Sequence, residues 1–196
     1  MNMTYPIKNK EDIEEVKDYF RNVKKCHKSY LMFIVGISSA LRISDILQLK
    51  IKDIYEGKKV REHITIREKK TGKTKRFAVS PNLRKAIEYY IREEKDKGRE
   101  INEENYLFYS REGQNKPITR QRAVQILTEA MDMCGLGHIN LGSHGLRKTF
   151  SYHAWKSGVD ITYLMRLLNH SSQRQVLAYI AVESEELDNI YINLNL

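Results

Sequence analysis

The stretch LNHSSQRQVLAY sets His170 nine residues ahead of Tyr179, with two serines and a polar run between them. An imidazole titrates near neutral pH and can carry a proton or donate to an anion, and a phenol hydroxyl can act as a nucleophile. HGLR holds His144 and Arg147 three residues apart, which on a helix is one face. Arg42 follows the apolar end of SSALRISDILQL, where a guanidinium is costly without an anion or a carboxylate, and Asp45 could serve as its partner. Lys70 and Lys73 flank the TG of KKTGK.

Taken singly, each motif has an ordinary structural explanation. LMRLLNH reads as a packed helix, a tyrosine in VLAYIAV suits a core, HGLR suits a helix start with a surface arginine, and turn lysines are commonly solvated. Together they supply one reaction. Two arginines can hold the non-bridging oxygens of a phosphodiester through forked hydrogen bonds. Two histidines can donate to it or move protons, a lysine can protonate a leaving oxygen, and a tyrosine can attack phosphorus. The sequence has no HExxH, CxxC or acidic cluster to suggest a metal site, and no Walker-type glycine loop. A metal-free, ATP-free phosphoryl transfer, without any cofactor, is therefore expected.

The net charge of +9 points the same way. Residues 58–76 hold nine Lys and Arg against two Glu, so +7 of the +9 sits in one segment. Such a concentration suits a polyanion, usually nucleic acid, because phosphate contacts release condensed counterions; a solvated basic hairpin is the plainer alternative. No apolar run approaches the ~20 residues of a membrane span, and the polar start MNMTYPIKNKEDIEEV lacks the apolar centre of a secretory signal. Cys26 and Cys134 lie far apart in the sequence and read as reduced thiols of a cytoplasmic protein.

The elements that would position these residues are mostly helical. NKEDIEEVKDYFRNVKK places Ile13, Val16 and Phe20 at helical spacing, SYLMFIVGISSAL reads as a buried helix, and RISDILQLK continues as a short one. HITIREKKTGKTKRFAVS changes period, with Ile64 and Ile66, then Phe77 and Val79, alternating about a TGK turn, as a β-hairpin does. Ser80 caps and Pro81 opens the next helix, and REEKDKGREINEEN reads as a charged connector. Thr119 starts a helix stopped near Gly135, SHGLRKTFSYHAWKSG ends at Gly158, and Asp160 caps DITYLMRLL. QVLAYIAV and SEELDNIY read as two last short helices. The fold class is mainly α with a small antiparallel β-sheet (α+β), one domain over residues 1–196.

The order ALRISDILQLK, KKTGK on a hairpin, HGLRKTF, LLNHSS and a tyrosine nine residues on resembles the tyrosine recombinase (phage integrase) family over roughly residues 30–182. The resemblance implies the catalytic-domain fold of DNA breaking and rejoining enzymes. By it, Arg42 and Arg147 clamp the scissile phosphate, Lys70 protonates the departing 5′ oxygen, His144 assists proton transfer, His170 hydrogen-bonds the phosphate, and Tyr179 forms a 3′-phosphotyrosyl link. Strand parity also favours Lys70 over Lys73, since Lys70 continues the face of Ile64, Ile66 and Glu68 if the strand stays regular into the turn. Lys69, Lys73, Lys75, Arg76 and Lys148 are expected at the DNA, and Arg174 at DNA or solvent.

The implied activity is site-specific recombination of double-stranded DNA by a protein that assembles on it as a tetramer. A topoisomerase of the same chemistry and a non-catalytic DNA-binding regulator on this fold are the alternatives. The sequence departs from the family pattern at Asn169, where glycine is common, and at Lys148, where histidine is common. The resemblance begins about thirty residues into the chain, so the family's N-terminal core-binding domain is not expected in it.

Overall fold

The computed structural model describes residues 3–182 and 192. Helix α1 (Lys10–Asp18) buries Ile13 and Val16, and a π-helical turn, Tyr19–Val23, carries the chain on and seats Phe20 in the core. Helix α2 (His27–Ser38) is buried from Leu31 through Gly36, as suits a central helix that is apolar all round. It packs against α1, α5 and α7. A Cβ at Gly36 would collide with the Leu146 side chain, so the glycine is what lets α7 (Gly145–Lys156) approach so closely. That approach brings the helix carrying Arg147 toward the end of α2, where Arg42 stands in extended conformation at the N-cap of α3 (Ile43–Ile46).

After α4 (Ile51–Ile54) come two hairpins. Strands β1 (Tyr55–Glu56) and β2 (Lys59–Val60) pair through Gly57 and Lys58, both at positive φ, the backbone of a two-residue hairpin turn. This small hairpin is absent from the sequence reading. The expected hairpin is β3 (His63–Arg67) with β4 (Thr74–Ala78), antiparallel, Ile64 opposite Phe77 and Ile66 opposite Lys75. Its strand ends at Arg67. The Glu68 N–H donates to Lys73 O at 2.9 Å, the Gly72 N–H turns back to Glu68 O at 2.8 Å, and residues 69–72 form the turn with Gly72 at φ +67. The regular alternation that would have carried the inward face on to Lys70 therefore stops at Glu68.

The later helices start where their caps sit. The Ser80 hydroxyl accepts from the Leu83 N–H ahead of α5 (Pro81–Asp96), which runs on into the charged segment read as a connector. Thr119 caps α6 (Arg120–Met133), Asp160 caps α8 (Ile161–Leu168) and Ser172 caps α9 (Gln173–Tyr179). A main core joins α1, α2, α5, α6 and the inner face of the β3–β4 hairpin. A second cluster, Ala40, Leu164, Leu168 and Val176 with Phe150, Trp155 and Tyr179 packed against it, ties α8 and α9 to the end of α2 and to α7. The helix expected in SEELDNIY lies outside the described residues. Among the described residues, no helix is long and apolar enough to cross a membrane.

Candidate active site

The second cluster is what aims Tyr179. Val176 is fully buried one turn earlier in α9, so Tyr179 leaves the same side of the helix, half-buried against the start of α7. Its hydroxyl lies 3.4 Å from His144 Nδ1, and its ring meets the His170 ring edge-on at 5.0 Å between centroids. His144 is the N-cap residue of α7, so the His144–Arg147 pair spans the helix's first turn. His170 follows the end of α8. Asn169 at φ +53 terminates that helix in the left-handed conformation, and the His170 N–H returns to Met165 O at 2.9 Å. That conformation favours glycine or asparagine, so the departure from the family pattern at Asn169 is one the backbone accepts.

Arg42 and Arg147 face one buried carboxylate. Glu68 Oε1 lies 3.2 Å from Arg42 Nη1 and 4.0 Å from Arg147 Nη1, while Glu68 Oε2 accepts from the Thr71 hydroxyl at 2.7 Å and Asn169 Nδ2 at 3.3 Å. Burial alone would raise the Glu68 carboxyl, but the Thr71 hydroxyl and the charges of Arg42, Lys75 and Arg147 outweigh it and hold the group below the usual carboxylate range. Asp45 accepts from the Lys69 backbone N–H at 3.0 Å and lies 3.9 Å from Arg42 Nη1, so the carboxylate read as Arg42's partner is the more distant of two. Arg147, only 3% exposed, donates through Nη2 to Leu168 O at 2.9 Å.

Among the described residues, three buried polar atoms here have no hydrogen-bond partner: Arg147 Nη1, His170 Nδ1 and Asp45 Oδ2. The first two can both donate, and buried polar groups are nearly always satisfied. A tetrahedral anion seated beside Tyr179 would satisfy them. Burial first, then the nearby Arg147 and Arg42 charges, lower the pKa of His144 and of His170, so both imidazoles stay neutral at neutral pH. Burial raises the Tyr179 phenol, opposed by the same two arginines.

The structure thus gathers Arg42, His144, Arg147, His170 and Tyr179 in one place. Lys70 and Lys73 are exposed around the hairpin turn, and Lys69, Arg76 and Arg174 are exposed as well, all open to a large ligand. Two lysines expected at DNA are placed differently. Lys148 is buried; its ammonium donates to Thr4 O at 2.6 Å and lies 5.1 Å from the centre of the Tyr179 ring. Lys75 points inward from β4 and donates to Ala40 O at 2.9 Å and Leu167 O at 3.3 Å. Glu68 was given no role by sequence reasoning, although it shares the inward strand face with Ile64 and Ile66.

The sequence model described as "Phage integrase family" matches residues 9–186. The chain is 40% identical over 185 residues to the probable integrase/recombinase YoeC of Bacillus subtilis, covering 94% of this chain and 93% of that protein. It is 29% identical to the tyrosine recombinase XerA of Pyrococcus furiosus, over 93% of this chain but 60% of the relative. The crystal structure of XerA recombinase superposes with a TM-score of 0.75 at 18% identity, over 100% of this chain and 67% of the other. XerH bound to a palindromic difH substrate, in a post-cleavage complex, superposes at 0.70 and 18% identity, over 97% of this chain and 53% of the other. These likenesses establish a tyrosine recombinase catalytic-domain fold.

Proposed function

The chain belongs to the phage integrase family, and we propose that it cuts and rejoins double-stranded DNA at a specific site through a covalent bond to Tyr179. One observation carries the reading. A tyrosine hydroxyl sits 3.4 Å from the His144 imidazole, next to two buried donors, Arg147 Nη1 and His170 Nδ1, that lack a hydrogen-bond partner among the described residues.

Arg42 and Arg147 hold the non-bridging oxygens, with the charge that builds on them in the transition state met by fixed guanidinium donors. The Tyr179 oxygen attacks phosphorus and gives its proton to His144. A Tyr179–phosphate bond forms at the 3′ end as the bond to the 5′ oxygen breaks, and that oxygen takes a proton from the hairpin lysine Lys70. His170 donates to the phosphate throughout. A 5′ hydroxyl from a partner strand reverses the same steps. One phosphate ester replaces another at each stage, so no external energy is required, and the arginines supply the positive charge that a metal would otherwise bring. Exchange between two duplexes needs four cut strands held together, hence a tetramer on DNA, with Lys69, Lys73, Arg76 and Arg174 offering backbone contacts.

A duplex nicked beside the scissile phosphate traps the covalent intermediate, which runs as a protein–DNA adduct on a denaturing gel. Wild type should form it in the presence of EDTA, and Tyr179→Phe should bind the same DNA and form none. An adduct that persists in Tyr179→Phe would overturn the assignment and direct attention to the exposed Tyr163. Exchange between two marked duplexes separates a recombinase from an enzyme that only nicks and reseals.

A further inference from the structure

Lys75 stands mid-strand in β4 opposite Ile66, so its side chain leaves the hairpin on the core side, the side of Ile64 and Glu68. Its ammonium joins two distant backbone segments, donating to Ala40 O at 2.9 Å and to Leu167 O at 3.3 Å. Ala40 lies two residues before Arg42, in the turn between α2 and α3. Leu167 lies in the last turn of α8, three residues before His170. The neighbouring carbonyl, Leu168 O, is held by Arg147 Nη2 at 2.9 Å. Two cations thus grip consecutive carbonyls at the C-terminal end of α8, where the helix dipole favours positive charge.

The position is an unfavourable one for a lysine. Burial and the charges of Arg147 and Arg42 lower its pKa, against Glu68 and Asp45, to about 8. A contact to the DNA backbone would not require such a site, because Lys69, Lys70, Lys73 and Arg76 of the same hairpin reach solvent. What the site does provide is a link between the segment that carries Arg42 and the segment that carries His170.

We propose that Lys75 is a positioning residue for strand cleavage, fixing the Arg42 turn against the end of α8 so that guanidinium and imidazole address the same phosphate. The proposal rests on the phosphoryl-transfer reading above. It assigns Lys75 neither a phosphate contact nor the proton of the leaving group.

Lys75→Met keeps the length and packing of the stem and removes the donors. Single-turnover cleavage of the nicked duplex at saturating DNA should fall roughly 10²-fold, the size expected when reacting groups are misplaced by about 1 Å. DNA affinity and the slope of its logarithm against the logarithm of salt should match wild type, whereas Lys73→Ala should lower that slope by about 1. Lys75→Arg, which keeps charge and donors, should recover a large part of the rate, and it also answers the case in which the methionine variant melts below the assay temperature. Sulfur in place of the leaving 5′ oxygen should not restore Lys75→Met, since a thiolate departs without a proton and relieves only loss of the acid.

A salt slope reduced by about 1 in Lys75→Met would make Lys75 a phosphate contact, and rescue by sulfur would make it the acid. Unchanged cleavage in Lys75→Met would make it a structural lysine only. Each of these overturns the proposal while the adduct formed by wild type stands. Absence of any adduct in wild type would instead overturn the phosphoryl-transfer reading, and the role of Lys75 with it.

Discussion

Glu68 and Arg42 form a partly buried ion pair, with 3.2 Å between Oε1 and Nη1. The same carboxylate faces Arg147 and Lys75, so it offsets part of a cluster of positive charges that would otherwise repel itself. On the proposed reaction it would also compete with the phosphate for the two guanidinium groups.

Glu68→Gln should therefore bind DNA more tightly and be less stable. Removing one partner of a fully buried pair costs about 3–5 kcal/mol, and the partial exposure of the Arg42 side chain places this pair below that range. The pKa of Glu68 is depressed in the folded state, so its contribution is fully present above the unfolded value of ~4.3 and is lost as pH falls through the folded value. Urea melts of wild type and Glu68→Gln should accordingly differ at pH 7, and the gap should narrow progressively as pH falls below ~4.3. A constant gap across that range would show that the carboxylate carries no linked stability.

Arg147→Lys tests the fork and not the charge. A lysine can reach Leu168 O or a phosphate oxygen, but it lacks the planar pair of donors that serves both at once. Cleavage should drop about 10²–10³-fold, as for removal of one oxyanion donor, with DNA affinity within a few-fold of wild type. Cleavage at near-wild-type rate in this variant would remove Arg147 from the phosphate clamp.

Much of this arrangement was legible in the sequence where the cause is local. Ser80, Thr119 and Asp160 cap their own helices within three residues, and the alternation of Ile64 with Ile66 and of Phe77 with Val79 defines the main hairpin. The β1–β2 hairpin was missed because two-residue strands show no alternation. Lys75 lies on the inward face if the Phe77–Val79 alternation is run backward, but the basic composition of the segment drew it outward. Lys148 could not have been placed locally, because its partner Thr4 O lies 144 residues away. The strand-parity argument for Lys70 failed for a related reason: the Gly72 N–H folds back onto Glu68 O and ends the strand.

Asn169 offers a test of the backbone alone. At φ +53 an alanine pays the left-handed penalty of about 1–2 kcal/mol, and a glycine does not. Asn169→Ala should lower Tm by roughly 2–8 °C relative to Asn169→Gly, at about 2–4 °C per kcal/mol for a chain of this size. Both variants lose the 3.3 Å hydrogen bond from Nδ2 to Glu68, so the difference between them isolates the conformation. Equal melting of the two would mean that α8 does not end in the left-handed region.

The pH dependence of cleavage should identify the proton acceptor. His144 must be neutral to take the Tyr179 proton, and Tyr179 needs an acceptor because burial raises its phenol above the ordinary value, so the phenolate is scarce at neutral pH. An unperturbed imidazole would be half protonated at pH ~6.5. Burial, followed by the charges of Arg147, Arg42, Lys148 and Arg120, lowers His144 below that, so it remains a base at pH values where an ordinary histidine has ceased to be one. On the acid side the rate at subsaturating DNA, which reports the free enzyme, should fall with a midpoint below the ordinary imidazole value of ~6.5, while the alkaline side carries the titration of Lys75 at about 8. His170 is lowered by burial and then by the same two arginines, so the profile of wild type alone does not separate the two imidazoles. His144→Gln should be slower throughout and lose the acid limb, while His170→Gln should be slower and keep it. A limb with its midpoint at or above pH 6.5, or one that survives His144→Gln, would assign the proton to another group.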